Sequence, residues 1–134
     1  MADGTHVYED QWGEIIDRPA SDLIELRWFD TTATMSKEDF QQWLRTFADR
    51  VALARRHRVL VDGISFKMNP AFMDGEWRDA NIIPTYNDAG VSRFAFLMPM
   101  GMPMIGQAPA KEGPGRFPTG YFSTRRGALE WLLT

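Results

Sequence analysis

Few residues in this chain could carry acid–base or nucleophilic chemistry. It has 134 residues, two histidines and no cysteine. The absence of cysteine excludes disulfides, zinc–thiolate sites and a thiol nucleophile. His6 lies near the start of the sequence, and His57 lies within the basic run 55–58. Neither histidine has an acid or hydroxyl partner at a motif spacing, so the histidines predict no catalytic centre.

Asp62 is the acidic residue best placed for chemistry. It follows the apolar run 59–61, and α/β proteins place ligands at the carboxyl ends of parallel strands. One interpretation makes Asp62 an acid or base, with Arg93 or Arg116 holding an anion. The other makes it a turn residue before Gly63, and we favour this one. Walker loops, dinucleotide glycine motifs and metal-ligand spacings are absent from the sequence, so we predict no metal and no cofactor.

The most unusual segment is rich in methionine. Four methionines alternate between Met98 and Met104, at the start of a stretch, 99–120, in which ten of 22 residues are glycine or proline. That composition predicts a long loop. Leaving an apolar side chain of this size in water forfeits about 1.5–3 kcal/mol relative to burial. We therefore expect the segment to pack on its own domain, to cover a ligand or to meet another chain.

Three interpretations of this segment remain open. It can be a flexible apolar flap over a pocket or a partner groove, because thioether side chains adapt to irregular surfaces. It can be a strand extension buried in a dimer interface. It can also be a Cu(I) site built from thioethers, since soft sulfur selects Cu(I), although no histidine or cysteine lies nearby in the sequence.

Charge and hydropathy exclude two further classes. The net charge of −3 argues against non-specific nucleic-acid binding. The first residues lack the basic and apolar regions of a signal peptide. The longest apolar stretch, 94–106, contains two prolines and is shorter than the roughly 20 residues of a membrane helix. We expect a cytoplasmic protein with no transmembrane segment and no nucleic-acid partner.

The elements that would position these residues alternate between strand and helix. Leu23–Trp28 alternates apolar and polar side chains, as a half-buried strand does. Ser36 and Thr124 are suited to cap helices, and Met35 and Phe40 can form a hydrophobic staple. In chain order we predict strands at 13–16, 23–28, 59–61, 93–98 and 121–123, and helices at 36–56, 70–81 and 125–133. The sequence predicts an α/β fold over a single domain, 1–134, with a mixed sheet of four to six strands and helices packed on it.

This order of elements resembles the SpoIIAA-like fold, which STAS domains share and which is grouped with CRAL-TRIO lipid-transfer domains. Three segments carry the resemblance: Val59–Phe66, Phe94–Leu97, and Tyr121–Thr124 followed by Ala128–Leu132. The last segment is typical of small bacterial SpoIIAA-like proteins. The resemblance implies a binding or regulatory module.

One departure from that family bears on regulation. Anti-sigma factor antagonists carry a phosphorylatable serine in the loop before the second helix. The matching positions here are Met68-Asn69-Pro70-Ala71, and Asn69 has no hydroxyl. Ser65, the nearest hydroxyl, is out of register. We therefore expect no phosphorylation switch of that kind.

The sequence favours a non-enzymatic binding module that engages a protein partner or a small apolar ligand near the second helix and the methionine-rich loop. The candidate contact residues are Met68, Asn69, Phe72, Trp77, Met100, Met102, Met104, Phe117 and Tyr121. Two alternatives come from other classes. One is a homodimer whose interface is the methionine-rich segment, aided by the acidic first 39 residues and the basic remainder. The other is an enzyme that uses Asp62.

Overall fold

The computed structural model describes residues 4–134, which form one mixed sheet with helices on both faces. The strands are β1 (Thr5–Glu9), β2 (Gly13–Arg18), β3 (Leu23–Trp28), β4 (Arg58–Asp62), β5 (Arg93–Leu97), β6 (Ala110–Lys111) and β7 (Pro118–Phe122). Their order across the sheet is β1-β2-β3-β4-β5-β7-β6. Strands β3, β4, β5 and β7 are parallel, whereas β1, β2 and β6 pair antiparallel with their neighbours.

The α/β class and the mixed sheet are confirmed, but the sheet has seven strands in the described residues instead of four to six. The additional strands are the two edges. β1 has a mostly exposed sequence without clear apolar alternation, and β6 is only two residues long and lies inside the glycine- and proline-rich stretch. Neither edge strand leaves a hydrophobic pattern in the sequence.

The helices are α1 (Lys37–Ala54), α2 (Gly75–Asn81), α3 (Ile83–Ala89) and α4 (Arg125–Leu132). Short 3₁₀ helices cover Pro19–Ser21, Asp30–Thr34 and Pro70–Phe72. Two predicted caps are confirmed: the Ser36 hydroxyl accepts a bond from the Asp39 amide at 3.1 Å, and that of Thr124 accepts one from the Gly127 amide at 3.1 Å. None of the helices in the described residues combines the length and hydropathy that a membrane crossing requires.

The helix predicted over 70–81 is corrected. It is divided because Asp74 accepts a bond from the Trp77 amide and so begins a new helix, α2, after the 3₁₀ turn. A further helix, α3, follows in a part of the chain for which no element was predicted. Pro84 lies in its first turn, where a missing N–H costs nothing.

The two faces of the sheet differ in what covers them. Helices α1 and α3 pack on one face over the larger core, which contains Trp28, Met35, Phe47, Tyr86 and Phe94. Helix α4 packs on the other face over a small core made by Leu23, Leu60, Ala95, Leu97, Ala128 and Leu132. We call these the α1 face and the α4 face.

Candidate binding surface at the carboxyl ends of the parallel strands

Exposed apolar side chains are concentrated at one edge of the sheet. Of six exposed large hydrophobic residues among those described, four lie in the two segments that follow β4 and β5. They are Ile64, Phe72, Met73 and Met100, with exposed fractions of 40%, 39%, 53% and 84%. Because parallel strands β4 and β5 end at the same side, both segments leave the sheet together. We call these four residues the apolar edge.

The two segments are in contact where they begin. The Gly63 amide, directly after β4, donates a hydrogen bond to the Leu97 carbonyl at the end of β5, at 2.7 Å. A Cβ at Gly63 would lie 3.2 Å from the Met98 sulfur and 3.3 Å from that carbonyl oxygen. The close approach therefore favours glycine at this position.

An aromatic strip lies next to the apolar edge on the α1 face. The rings of Phe96 and Tyr121 are stacked, with centroids 5.3 Å apart. The Arg78 guanidinium of α2 lies 5.6 Å from the Phe94 ring centroid and 5.8 Å from that of Phe96. Arg45 of α1 lies 5.0 Å from the Trp77 ring. These cation–π contacts hold α2 against the sheet and α1.

Tyr121 also connects the strip to the long loop. Its hydroxyl donates to the Glu112 carboxylate, with oxygen distances of 2.8 and 2.9 Å. Burial and the neighbouring Glu112 charge raise the pKa of Tyr121 well above its ordinary value. Tyr121 therefore stays protonated and acts as a hydrogen-bond donor.

The long loop has two differently anchored halves. The later half is tied to α3, because the Asn87 side chain donates to the Pro114 carbonyl at 3.0 Å and accepts from the Arg116 amide at 2.9 Å. The methionine half turns on itself through backbone bonds such as Ile105 N–H to Met102 carbonyl, at 3.0 Å. Met102 and Met104 are half-buried there, whereas Met100 is exposed.

Two of the nine predicted contacts are core residues, which corrects their predicted role. Met68 is 4% exposed and packs in the α1-face core. Phe117 is 3% exposed, and its ring stacks on Phe94 with centroids 5.9 Å apart. The Asn69 side chain accepts from the Ala71 amide at 3.0 Å and caps a 3₁₀ turn.

The other six predicted contacts lie at or beside the surface. Phe72 and Met100 belong to the apolar edge, and Trp77, Met102, Met104 and Tyr121 are half-buried. Sequence reasoning missed Ile64 and Met73. The available signal was the position of Ile64, an apolar residue directly after a strand-ending Asp-Gly pair, where the chain enters a turn.

Asp62 has the local geometry of a turn residue. One of its carboxylate oxygens accepts from the Ile64 amide at 3.1 Å, and the other lies 3.6 Å from the Arg27 side chain. Arg93 lies at the opposite end of the sheet, where its guanidinium donates to the carbonyl of Trp131. The structure therefore does not bring Asp62 and Arg93 together as an acid–base and anion pair.

A second cluster of chemistry-bearing residues lies on the α4 face, around a buried carboxylate. Glu25 of β3 is 0% exposed. Arg125, the first residue of α4, holds it with two bonds of 2.7 Å, and Arg18 and Arg27 approach to 3.1 and 3.4 Å. Burial by itself would raise the pKa of Glu25, but the hydrogen bonds and charges of Arg125 and Arg18 outweigh it and lower that pKa. We call these four residues the Glu25 cluster.

Two open depressions of the described surface do not include the apolar edge. One depression follows α4 along Leu129 and Leu133, and the other lies between β1 and α1 beside Val7 and Leu53. Both are open and shallow. The four side chains of the apolar edge are 39–84% exposed, so they form open surface and do not line an enclosed cavity.

Comparison with known proteins adds no assignment to this geometry. The chain matches no family model, no curated protein and no solved structure.

Proposed function

We propose that the protein is a non-enzymatic, cytoplasmic binding module of the SpoIIAA-like, STAS type, which recognises a protein partner through the apolar edge. One observation carries this proposal: four of the six exposed large hydrophobic side chains lie in two adjoining segments at one side of the sheet. Exposed apolar side chains that are grouped on one side of a domain commonly mark an interaction site. The order of strands and helices supports the family assignment as a resemblance.

The shape of the surface favours a protein over a small molecule. Small-molecule sites are concave and enclose most of the ligand, whereas the four side chains of the apolar edge are 39–84% exposed. Protein interfaces are flatter and enriched in aromatic residues and methionine. Phe72, Met73 and Met100 match that composition.

The charges around the apolar edge favour a partner of low net charge. Exposed groups of both signs flank one of its segments in sequence: Lys67 precedes Phe72 and Met73, and Glu76 follows them. A polyanion or a strongly charged peptide would meet repulsion as well as attraction. We propose an amphipathic helix whose apolar face contacts the edge, because methionine side chains adapt to such faces.

The energetics suit a reversible complex. Full burial of one large apolar side chain is worth about 1.5–3 kcal/mol, and each 1.4 kcal/mol is roughly tenfold in affinity. Loss of Met73 and Met100 together should therefore weaken binding by roughly tenfold or more. The Glu25 carboxylate should contribute nothing to binding, because it is fully buried and held by its own arginines.

Site-specific photo-crosslinking tests the proposal. A benzophenone amino acid is placed at position 72 or 100 in the native host, and the crosslinked peptides are identified by mass spectrometry. Both positions should crosslink to the same partner segment, with the periodicity of an amphipathic helix. The purified partner should then bind the Met73→Gln/Met100→Gln variant roughly tenfold or more weakly than the wild type.

Leu53 provides the matched control. It is 76% exposed, but it lies on α1 beside the β1 depression. A crosslinker at position 53 should not capture the same partner, and Leu53→Gln should leave binding unchanged. Capture of a second copy of this chain from positions 72 and 100 would replace the proposal with self-association. Equal capture from position 53 would also overturn it.

A further inference from the structure

The β1–β2 hairpin brings three potential metal ligands to one face of the sheet. His6 and Glu9 are three residues apart, so a regular strand would point them to opposite faces. A bulge between His6 and Tyr8 shifts the register, so that His6 pairs with Ile16 and Glu9 pairs with Glu14. Because Glu14 and Ile16 point to the same face, His6, Glu9 and Glu14 all lie there together.

The donor atoms of these residues are close enough to share one ion. The His6 Nε2 atom lies 3.1 Å from a carboxylate oxygen of Glu14. One donor atom from each of His6, Glu9 and Glu14 falls within 4.8 Å of the other two. A metal with ligand bonds of about 2.0–2.2 Å fits between donors at such separations after small side-chain rotations.

We propose that His6, Glu9 and Glu14 bind a zinc ion. One imidazole nitrogen and two carboxylate oxygens are ligands that zinc accepts, and three protein ligands leave a fourth position for water or a group from another molecule. Magnesium is a poor match, because it prefers oxygen ligands in octahedral geometry. This site is separate from the apolar edge and does not depend on the proposed function.

The local charges favour a cation. Glu14 is 8% exposed, and a carboxylate so far removed from water gains from a nearby positive charge. Arg27 contacts its second oxygen at 3.7 Å but is shared with Glu25 and Asp62, at 3.4 and 3.6 Å. Glu14 and Glu9 together therefore carry more negative charge than Arg27 neutralises at this site.

The sequence alone predicts no metal here, because the spacing of residues gives their side-chain directions only in a regular strand. Without the bulge, the three-residue separation of His6 and Glu9 would put their side chains on opposite sides of β1. Glu14 is brought in by cross-strand pairing, which no local motif encodes.

Calorimetric titration of the untagged full chain with ZnCl₂ tests the site. One zinc ion should bind per chain, and thermal unfolding should shift upward with zinc, because an ion bound only to the folded state stabilises it. MgCl₂ at the same concentration should give neither effect. His6→Gln and Glu9→Gln should each weaken zinc binding by roughly tenfold or more. Both positions are exposed, so these variants should keep the fold.

His57 is the matched control. Its side chain is as exposed as that of His6, at 60%, and it also touches one carboxylate, that of Asp22 at 2.7 Å. No second acidic ligand completes a group around it within the described residues. His57→Gln should therefore bind zinc like the wild type. Absence of zinc binding, or equal binding by the wild type and His6→Gln, would overturn the proposal.

Discussion

The Glu25 cluster and the apolar edge are opposite exceptions to the usual distribution of residues. Charged side chains are almost never fully buried unless they are paired, and large apolar side chains are usually inside. Glu25 is 0% exposed and is surrounded by three arginines, whereas Met100 is 84% exposed in a turn after β5. One region hides a charge, and the other displays apolar surface.

The two regions differ in whether contacts within the chain compensate the buried charge or cover the apolar side chains. The Glu25 carboxylate receives bonds from β2, β3 and α4, so its burial is compensated and it joins α4 to the sheet. The apolar edge displays four large side chains at the surface instead of packing them inside. We infer that the first region serves stability and the second serves recognition.

Glu25→Gln is expected to have the largest effect on stability. Removing one partner of a buried ion pair typically costs about 3–5 kcal/mol, because the remaining charges lose their compensation. Urea unfolding should show this loss. Glu130→Gln is the control: Glu130 pairs with Arg126 on the exposed side of α4, and such a pair is worth about 0–1 kcal/mol. Equal stability of Glu25→Gln and the wild type would contradict a stabilising cluster.

Met68 and Met100 are both predicted contact residues, but they should differ in their contribution to the free energy of unfolding. Met68→Ala should lower the free energy of unfolding by about 2–5 kcal/mol, because it opens a cavity in the core. Met100→Ala should change it by less than about 0.5 kcal/mol, since Met100 is a surface side chain. Denaturant unfolding of both variants distinguishes the core residue from the edge residue. Similar losses would show that the edge is part of the core.

The Glu25 cluster should also give a defined pH dependence. The pKa of Glu25 is lowered from 4.5 in the folded protein, so folding is favoured by ionised Glu25. This contribution is fully present above pH 4.5 and is lost as the pH falls through the lower, folded-state pKa. The stability difference between the wild type and Glu25→Gln should therefore be constant near neutrality and shrink in acid. A difference that grew in acid would contradict the lowered pKa.

The smallest effect on stability is expected from the apolar edge itself. Met73→Gln/Met100→Gln should unfold within about 0.5 kcal/mol of the wild type. The same variant should bind less of a fluorescent hydrophobic dye such as ANS, because two exposed apolar side chains are replaced by polar ones. Unchanged dye binding would mean that these residues do not form an accessible apolar surface.

The helix cap and the apolar alternation in the sequence predicted the elements that form through local interactions. Helix α1 begins one residue after Ser36, as its cap predicts, and it ends at Ala54, two residues before the predicted end, because Arg55 adopts a left-handed conformation with φ 54°. Strand β3 has the predicted bounds, 23–28, but it is buried on both faces instead of half-buried, because Leu23 and Glu25 are covered on the α4 face. Helix α3 is not among the predicted helices, although Pro84 suits the first turn of a helix.

The candidate sites depended on information that the sequence pattern does not contain. Met68 and Met100 are the same residue type in similar proline-containing surroundings, yet one is buried and one exposed. Arg125 reaches Glu25 across 100 positions of the chain. The bulge that places His6 beside Glu14 comes from pairing between two strands. Long-range contacts therefore decide where these residues lie and what they touch.

The most direct test of the account compares crosslinking from position 100 with crosslinking from position 53 in the same host. Both side chains are highly exposed, at 84% and 76%, so non-specific hydrophobic contacts would affect crosslinking from both positions alike. One defined partner segment should be captured from position 100 and not from position 53. Capture of the same proteins from both positions would contradict the claim that the apolar edge is the recognition surface.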